Sequence, residues 1–165
     1  MSSFRPVLPA LALLAGLFVP IPVVDSHPFS AAAGPTAESY AVTFVRDVCF
    51  GEGNYASIYK SGYSETLEQL GNNCPYPLGP ACARVLPIAS QFPELNSQYK
   101  FSYTGHMNAD LGLVDRFEVY ADPAAAGSSL KHFYTDPACR VRENPAKRAG
   151  PNDAPTTTQP ITYIY

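Results

Sequence analysis

Val114-Asp115-Arg116-Phe117-Glu118-Val119-Tyr120-Ala121 is the stretch whose reading decides the fold. Side chains of a strand alternate between two faces, so Phe117 and Val119 fall on one side and Arg116, Glu118 and Tyr120 on the other. The first set suits burial beneath a helix. The second lays a cation, a carboxylate and a phenol in a row on the open face. Residues 98–104 and 129–134 are further β candidates, and Asp122-Pro123 and Gly127 bracket a connection that reads as a hairpin.

Upstream, residues 39–50 also alternate, with Tyr40, Val42, Phe44 and Val48 against Thr43, Val45 and Cys49. Both sets carry apolar groups, as in a strand inside a sheet, and Gly51-Glu52-Gly53-Asn54 follows as a turn. The best helix spans 64–70: Ser64 can cap it, Glu65 lies in its first turn, Gly71 stops it, and Tyr63, Leu67 and Leu70 share one face. Pro80 can open a second short helix through Leu86, ended by Pro87. The order predicts an α+β domain, with one main helix packed on a small antiparallel sheet of four to five strands.

The ends read differently. Arg5 precedes a charge-free apolar run from Val7 to Val24, followed by Asp25-Ser26-His27-Pro28, the pattern of a signal peptide over 1–26. A membrane anchor is the rival, opposed by Pro9, Pro20 and Pro22 and by the lack of a basic stop-transfer cluster. Residues 27–38 read as a flexible leader and 39–142 as the folded domain. Residues 143–165 read as a disordered Pro/Thr-rich tail, with Thr156-Thr157-Thr158 open to O-glycosylation and Lys147-Arg148 a possible dibasic processing site. The chain is therefore expected to be secreted and, once cleaved, free of the membrane.

A net charge of −3 and a pI near 5.5 argue against a globally basic nucleic-acid binder. Tryptophan is absent, and 11 Tyr and 9 Phe supply the aromatic mass of a β-rich core. In an exported chain, Cys49, Cys74, Cys82 and Cys139 read as two disulfides, with three connectivities open. The favoured one closes the domain end to end through Cys49–Cys139 and pins a local loop through Cys74–Cys82. The long closure would stabilise the fold by about 4 kcal/mol on the chain-entropy model. Without a C-x-x-C pair, and with scattered histidines, the cysteines do not read as a zinc site.

Arg116, Glu118 and His132 on one sheet face are the candidate catalytic set. A carboxylate could take a ribose hydroxyl proton, the arginine hold the developing phosphate charge and the histidine protonate the leaving oxygen. The plainer reading is a cross-strand ion pair beside a half-buried histidine. Tyr103 and Tyr120 are the candidate binding side chains. His106, in Thr104-Gly105-His106-Met107-Asn108, reads as a solvated turn residue.

In order and spacing, residues 39–142 resemble the small guanyl-preferring fungal ribonucleases and the ribonuclease-like secreted effectors of plant-pathogenic fungi. The matching pieces are Cys49, a helix at 64–70, strand 98–104, Asp115-Arg116-Phe117-Glu118-Val119-Tyr120, His132 and Cys139. The resemblance implies a disulfide from the first segment to the last, Arg116 as the phosphate-binding residue and His132 as the catalytic acid. Two departures stand out. Tyr99-Lys100-Phe101-Ser102-Tyr103 has no carboxylate where the family carries its base, and neither Tyr76-Pro77-Leu78 nor Phe92-Pro93-Glu94 supplies the family's Tyr-Pro-His. Glu94 or Glu118 would have to substitute as base. The resemblance thus implies a monomeric, effector-like binder of a host or extracellular protein, with RNA as the alternative partner and no cofactor or metal. A separate alternative follows if cleavage falls before His27. An N-terminal histidine could then clamp copper with His106 or His132.

Overall fold

The computed structural model describes residues 35–71, 77–86 and 97–161. The signal-like segment, most of the leader, Cys74 and Glu94 lie outside them. In chain order come α1 (Ala37–Tyr59), α2 (Leu67–Leu70), β1 (Tyr99–Asn108), β2 (Leu113–Pro123), β3 (His132–Thr135), β4 (Arg142–Asn144) and β5 (Ala154–Pro155). The strands form one antiparallel sheet in sequence order, and α1 packs across β2 and β3. This is the expected α+β class with one main helix. Among the described residues, no helix is long and apolar enough to cross a membrane.

The main helix is not where local signals put it. Residues 39–50, expected as a strand, lie in α1, and the Gly51-Glu52-Gly53-Asn54 turn is helical too. Thr36 caps the N-terminus, its Oγ1 accepting the Ser39 amide at 3.0 Å, and Glu38 sits in the positive first turn. Lys60 ends the helix in the left-handed region at φ 56°. Tyr40, Ala41, Val42, Thr43, Phe44 and Val45 are all buried, which is why alternation misleads. A helix enclosed on several sides needs no polar stripe, so its apolar run carries no 3.6-residue signature. Tyr40 and Phe44 stack four residues apart, and Tyr55 and Tyr59 meet at a tilt with the same spacing. Gly51 is tolerated for packing, because a Cβ there would meet Leu86 Cδ2 at 3.1 Å.

Residues 64–70 supply only one helical turn, and Ser64 does not cap it. Gln69 Oε1 instead accepts the amides of Glu65 and Thr66, at 2.7 and 3.4 Å. Ser64 turns inward to Glu52, which is fully buried in α1. It donates its amide to Glu52 Oε2 at 2.9 Å and its hydroxyl to Oε1 at 2.5 Å. Tyr103 of β1 donates to the Ser64 carbonyl at 2.7 Å. One buried carboxylate thereby fastens the 61–66 loop between helix and sheet. Gly62, at φ +81°, allows the same loop to touch β2, since a Cβ would lie 2.3 Å from the Val114 oxygen. The expected helix from Pro80 to Leu86 is absent. The amides of Ala83, Val85 and Leu86 donate to Gln69 and Leu70 carbonyls, which holds that segment extended.

In the β1–β2 hairpin, His106 pairs with Arg116 but Met107 pairs with Val114, leaving Asp115 as the extra residue of a bulge. The bulge puts Asp115 and Arg116 both in solvent. Beyond it the expected division holds: Phe117, Val119 and Ala121 are buried, and Glu118 and Tyr120 are half-buried on the other face.

The expected loose tail is corrected as well. Residues 143–161 are described, the fold runs past 142, and the segment supplies part of β4 and all of β5. Glu143 is its anchor. Its carboxylate accepts from Lys131 Nζ at 3.0 Å, Thr156 Oγ1 at 2.6 Å, the Thr157 amide at 3.2 Å and the Thr158 hydroxyl at 3.3 Å. The threonines expected as glycosylation acceptors thus face a carboxylate. Cys49 and Cys139, 90 residues apart with Cα atoms 5.7 Å apart, form the expected long bridge. Cys82 is also disulfide-bonded; its expected partner, Cys74, is outside the described residues.

Glu52, fully buried, and Glu143, half-buried, respond to pH in opposite ways. Burial pushes the Glu52 carboxyl above its usual range, against the opposing hydrogen bonds from Ser64 and Tyr103. The folded chain then holds this proton more tightly than the unfolded one, so the contribution is full below the ordinary carboxylate pKa and declines as pH rises through the raised value. Urea unfolding at neutral pH should show Glu52→Ala costing about 3 kcal/mol, because Ser64 loses its acceptors. Glu52→Gln should cost less, and its deficit should shrink as pH rises from about 4 to about 8. A constant deficit would mean that Glu52 is neutral throughout.

Burial alone would raise the Glu143 carboxyl, but hydrogen bonds from Thr156, Lys131 and the Thr157 amide, with the Lys131 charge, hold it at about 2. Its contribution is therefore present above the unfolded pKa and lost as pH falls from about 4.5 towards 2. Glu143→Gln should remove at most about 3 kcal/mol at neutral pH and little at pH 2. Equal losses at both pH values would contradict the anchor.

Candidate functional site

α1 occupies one face of the sheet, so the row read from Arg116, Glu118 and Tyr120 lies open on the other. Strand pairing fixes its neighbours: His106 is opposite Arg116, Thr104 opposite Glu118, and Ser102 and Tyr134 flank Tyr120. His132 falls beside Asp122, its Nδ1 2.7 Å from Asp122 Oδ1. Asp122 and Arg116 are six residues apart on β2, about 20 Å at the rise of a strand. The expected Arg116, Glu118 and His132 therefore share a face without converging.

The open face instead carries two clusters. In the first, His106 Nε2 lies 3.6 Å from Glu118 Oε2, with Arg116 in the adjoining row. These three, with Phe117, Tyr134, Asp136, Pro137 and Pro151, line a cavity of about 230 Å³. The Arg116 side chain is 72% exposed and reaches Asp115 at 3.9 Å. In the second cluster, Asp122 sits between His132 and Arg148, whose Nε is 3.3 Å from Asp122 Oδ2. The Arg148 guanidinium also stacks 3.8 Å from the centre of the Tyr120 ring and donates to Ser102 Oγ at 2.6 Å.

Tyr120 joins the clusters. Its hydroxyl donates to Glu118 Oε2 at 2.9 Å while its ring supports Arg148. Burial, then the bond to Glu118, pushes its phenol up to about 12, so it stays protonated at physiological pH. Tyr134, buried beside it at 5.2 Å between ring centres, donates to Asp136 Oδ2 at 3.3 Å, and burial raises its phenol too. Tyr103 is not a binding residue of this face. It stacks on Phe117 beneath the sheet, its hydroxyl is committed to Ser64, and burial raises its pKa strongly.

Two residues of the site escaped sequence reading. His106 reads from the sequence as a solvated turn residue between strands. The Ser102, Thr104, His106 alternation, continuing the strand four residues further, was the available signal. Arg148 stacks on a residue far upstream in sequence, in a segment with no strand pattern, and no local signal marks it.

Chemically, the first cluster offers a proton-transfer pair, His106 and Glu118, beside a cation. Among the described residues, no group of three or more His, Cys, Asp and Glu is placed to hold a metal ion. His27 of the copper alternative lies outside them, and His106 and His132 each contact a carboxylate. No protein-family model, characterised protein or solved structure matches this chain.

Proposed function

We propose that the chain is an exported binding protein and that the open face of its sheet is the surface it binds with. The observation that carries this reading is the cavity itself. It is concave and part-aromatic, and its polar side chains His106, Glu118 and Asp136 are held by neighbours instead of being buried. Export is supported by the signal-like pattern of 1–26 and by the Cys49–Cys139 bridge, since such bonds persist in oxidising compartments. The partner is proposed to be a host or extracellular protein met by a monomer.

A ribonuclease is the second reading, favoured by the His106–Glu118 contact with Arg116 in the next row. Against it, an acid and a base for phosphodiester cleavage must flank the phosphate, and here the pair contact each other. The resemblance to fungal ribonucleases assigned the acid to His132, which faces Asp122 instead. A peptide-precursor role for Lys147-Arg148 is opposed by local order: Asn144 Oδ1 accepts the amides of Ala146 and Lys147, and Ala149 is buried.

Incubating the purified, oxidised chain with RNA separates binding from catalysis. No cyclic-phosphate ends should form with the wild type. Cleavage that is lost in His106→Ala or Glu118→Gln, while His132→Ala cuts normally, would overturn the binding reading. Mass spectrometry of the secreted chain should show it continuous through Arg148; a product ending there would revive the precursor.

A further inference from the structure

One cationic side chain is already seated on the open face, and the way it is held describes what the neighbouring cavity can take. The Arg148 guanidinium carbon sits 3.8 Å over the centre of the Tyr120 ring, with Asp122 and Ser102 accepting from its nitrogens. His132 holds the other oxygen of Asp122. Towards the hairpin end of the same strands, similar parts recur around the cavity. Glu118 is held through Oε2 by the Tyr120 hydroxyl and His106. Asp136 is held through Oδ2 by the Tyr134 hydroxyl and through Oδ1 by the Ala138 amide, at 2.9 Å. Tyr134 is buried at its floor, the Phe117 ring points away beneath the sheet, and Pro137 and Pro151 complete the lining.

The charges favour a cation. Besides His106, the lining carries Arg116 against Glu118 and Asp136. Arg116 leans towards Asp115 and is mostly exposed, so it does not neutralise the interior. An anion entering here meets two carboxylates. Glu118 Oε1 accepts no hydrogen bond among the described residues, which leaves acceptor capacity for a ligand's N–H groups.

We propose that this cavity binds the guanidinium of an arginine side chain presented by a partner polypeptide. The inference rests on the binding reading above and names the chemistry of that same face. A guanidinium is planar, weakly hydrated and carries its donors along its edges, so it needs carboxylates around it and flat apolar groups above or below. Glu118 and Asp136 supply the first, and Tyr134 and the two prolines the second. An ammonium is compact and strongly hydrated and gains less from such walls.

The test is an NMR titration of the oxidised, isotope-labelled chain with N-acetyl-arginine amide. N-acetyl-lysine amide, inorganic phosphate and guanosine monophosphate form parallel arms. Arginine should give saturable shifts centred on His106, Glu118, Tyr134 and Asp136, with Kd on the order of millimolar, as expected for one side-chain contact. Glu118→Gln and Asp136→Asn should each weaken it about tenfold, the loss of one charge-assisted pair, and lysine should bind more weakly. Because Asp136 Oδ1 also accepts the Ala138 amide and so shapes its own turn, Glu118→Gln is the decisive variant. No saturable shift with arginine, or undiminished binding in both variants, overturns the proposal. Phosphate or guanosine monophosphate shifting these residues in preference to arginine also overturns it, yet leaves the face a binding surface. The RNA cleavage assay reads the binding reading separately.

Discussion

A 23-residue helix whose residues 40–45 are buried on every side must be covered, and that requirement organises the chain. Val42, Val45 and Val48 are essentially inaccessible, and each such side chain is worth roughly 1.5–3 kcal/mol when taken out of water. Only a sheet of several strands offers a wide enough apolar surface, which Phe117, Val119, Ala121 and Phe133 provide. The Cys49–Cys139 bridge ties the helix to the chain beyond β3, and Glu52 ties it to the 61–66 loop and, through Ser64, to Tyr103. With one sheet face given over to α1, polar residues on the intervening strand positions have only the other face to occupy.

That division explains the character of the candidate site. Histidines, carboxylates and phenols of the strands gather on the open face because alternation places them there, and Glu118, Tyr120 and Asp122 are held by neighbours on the same or an adjoining strand. The C-terminal segment completes the arrangement. Glu143, in contact with Lys131 and the 156–158 threonines, fastens the segment to the sheet, and the loop between β4 and β5 then delivers Arg148 to Tyr120 and Pro151 to the cavity. A carboxylate far from the cavity is thus a condition for its shape.

Strands were the most legible part of the fold. Residues 114–121 alternate cleanly because one face is buried and the other wet, and β1, β2 and β3 were visible on that principle. The helix was illegible for the opposite reason: 40–45 is buried on every side, the exposed positions begin only at Arg46, and the β-branched and aromatic content of 39–50 imitates a strand. Its one clear local sign was the Thr36 cap followed by Glu38. The tail misled through composition. Pro, Thr and Asn suggested disorder, whereas the order comes from long-range pairing to Glu143, which composition does not encode. At the site, Arg116 and Glu118 could be read from the strand. Their convergence with His106 depends on the bulge at Asp115 and on the register of β1, both set by pairing between strands.

The central claim is that α1 covers one sheet face while the C-terminal segment completes the sheet as part of the same cooperative unit. Native-state amide hydrogen exchange on the oxidised chain tests it most directly. Amides of residues 41–59 should exchange with a helical pattern and the same opening free energy as Phe117 and Val119. The hydrogen-bonded amides of residues 142–156 should be protected along with them. Free exchange throughout 142–156, or protection at alternate residues only across 41–50, would contradict the account.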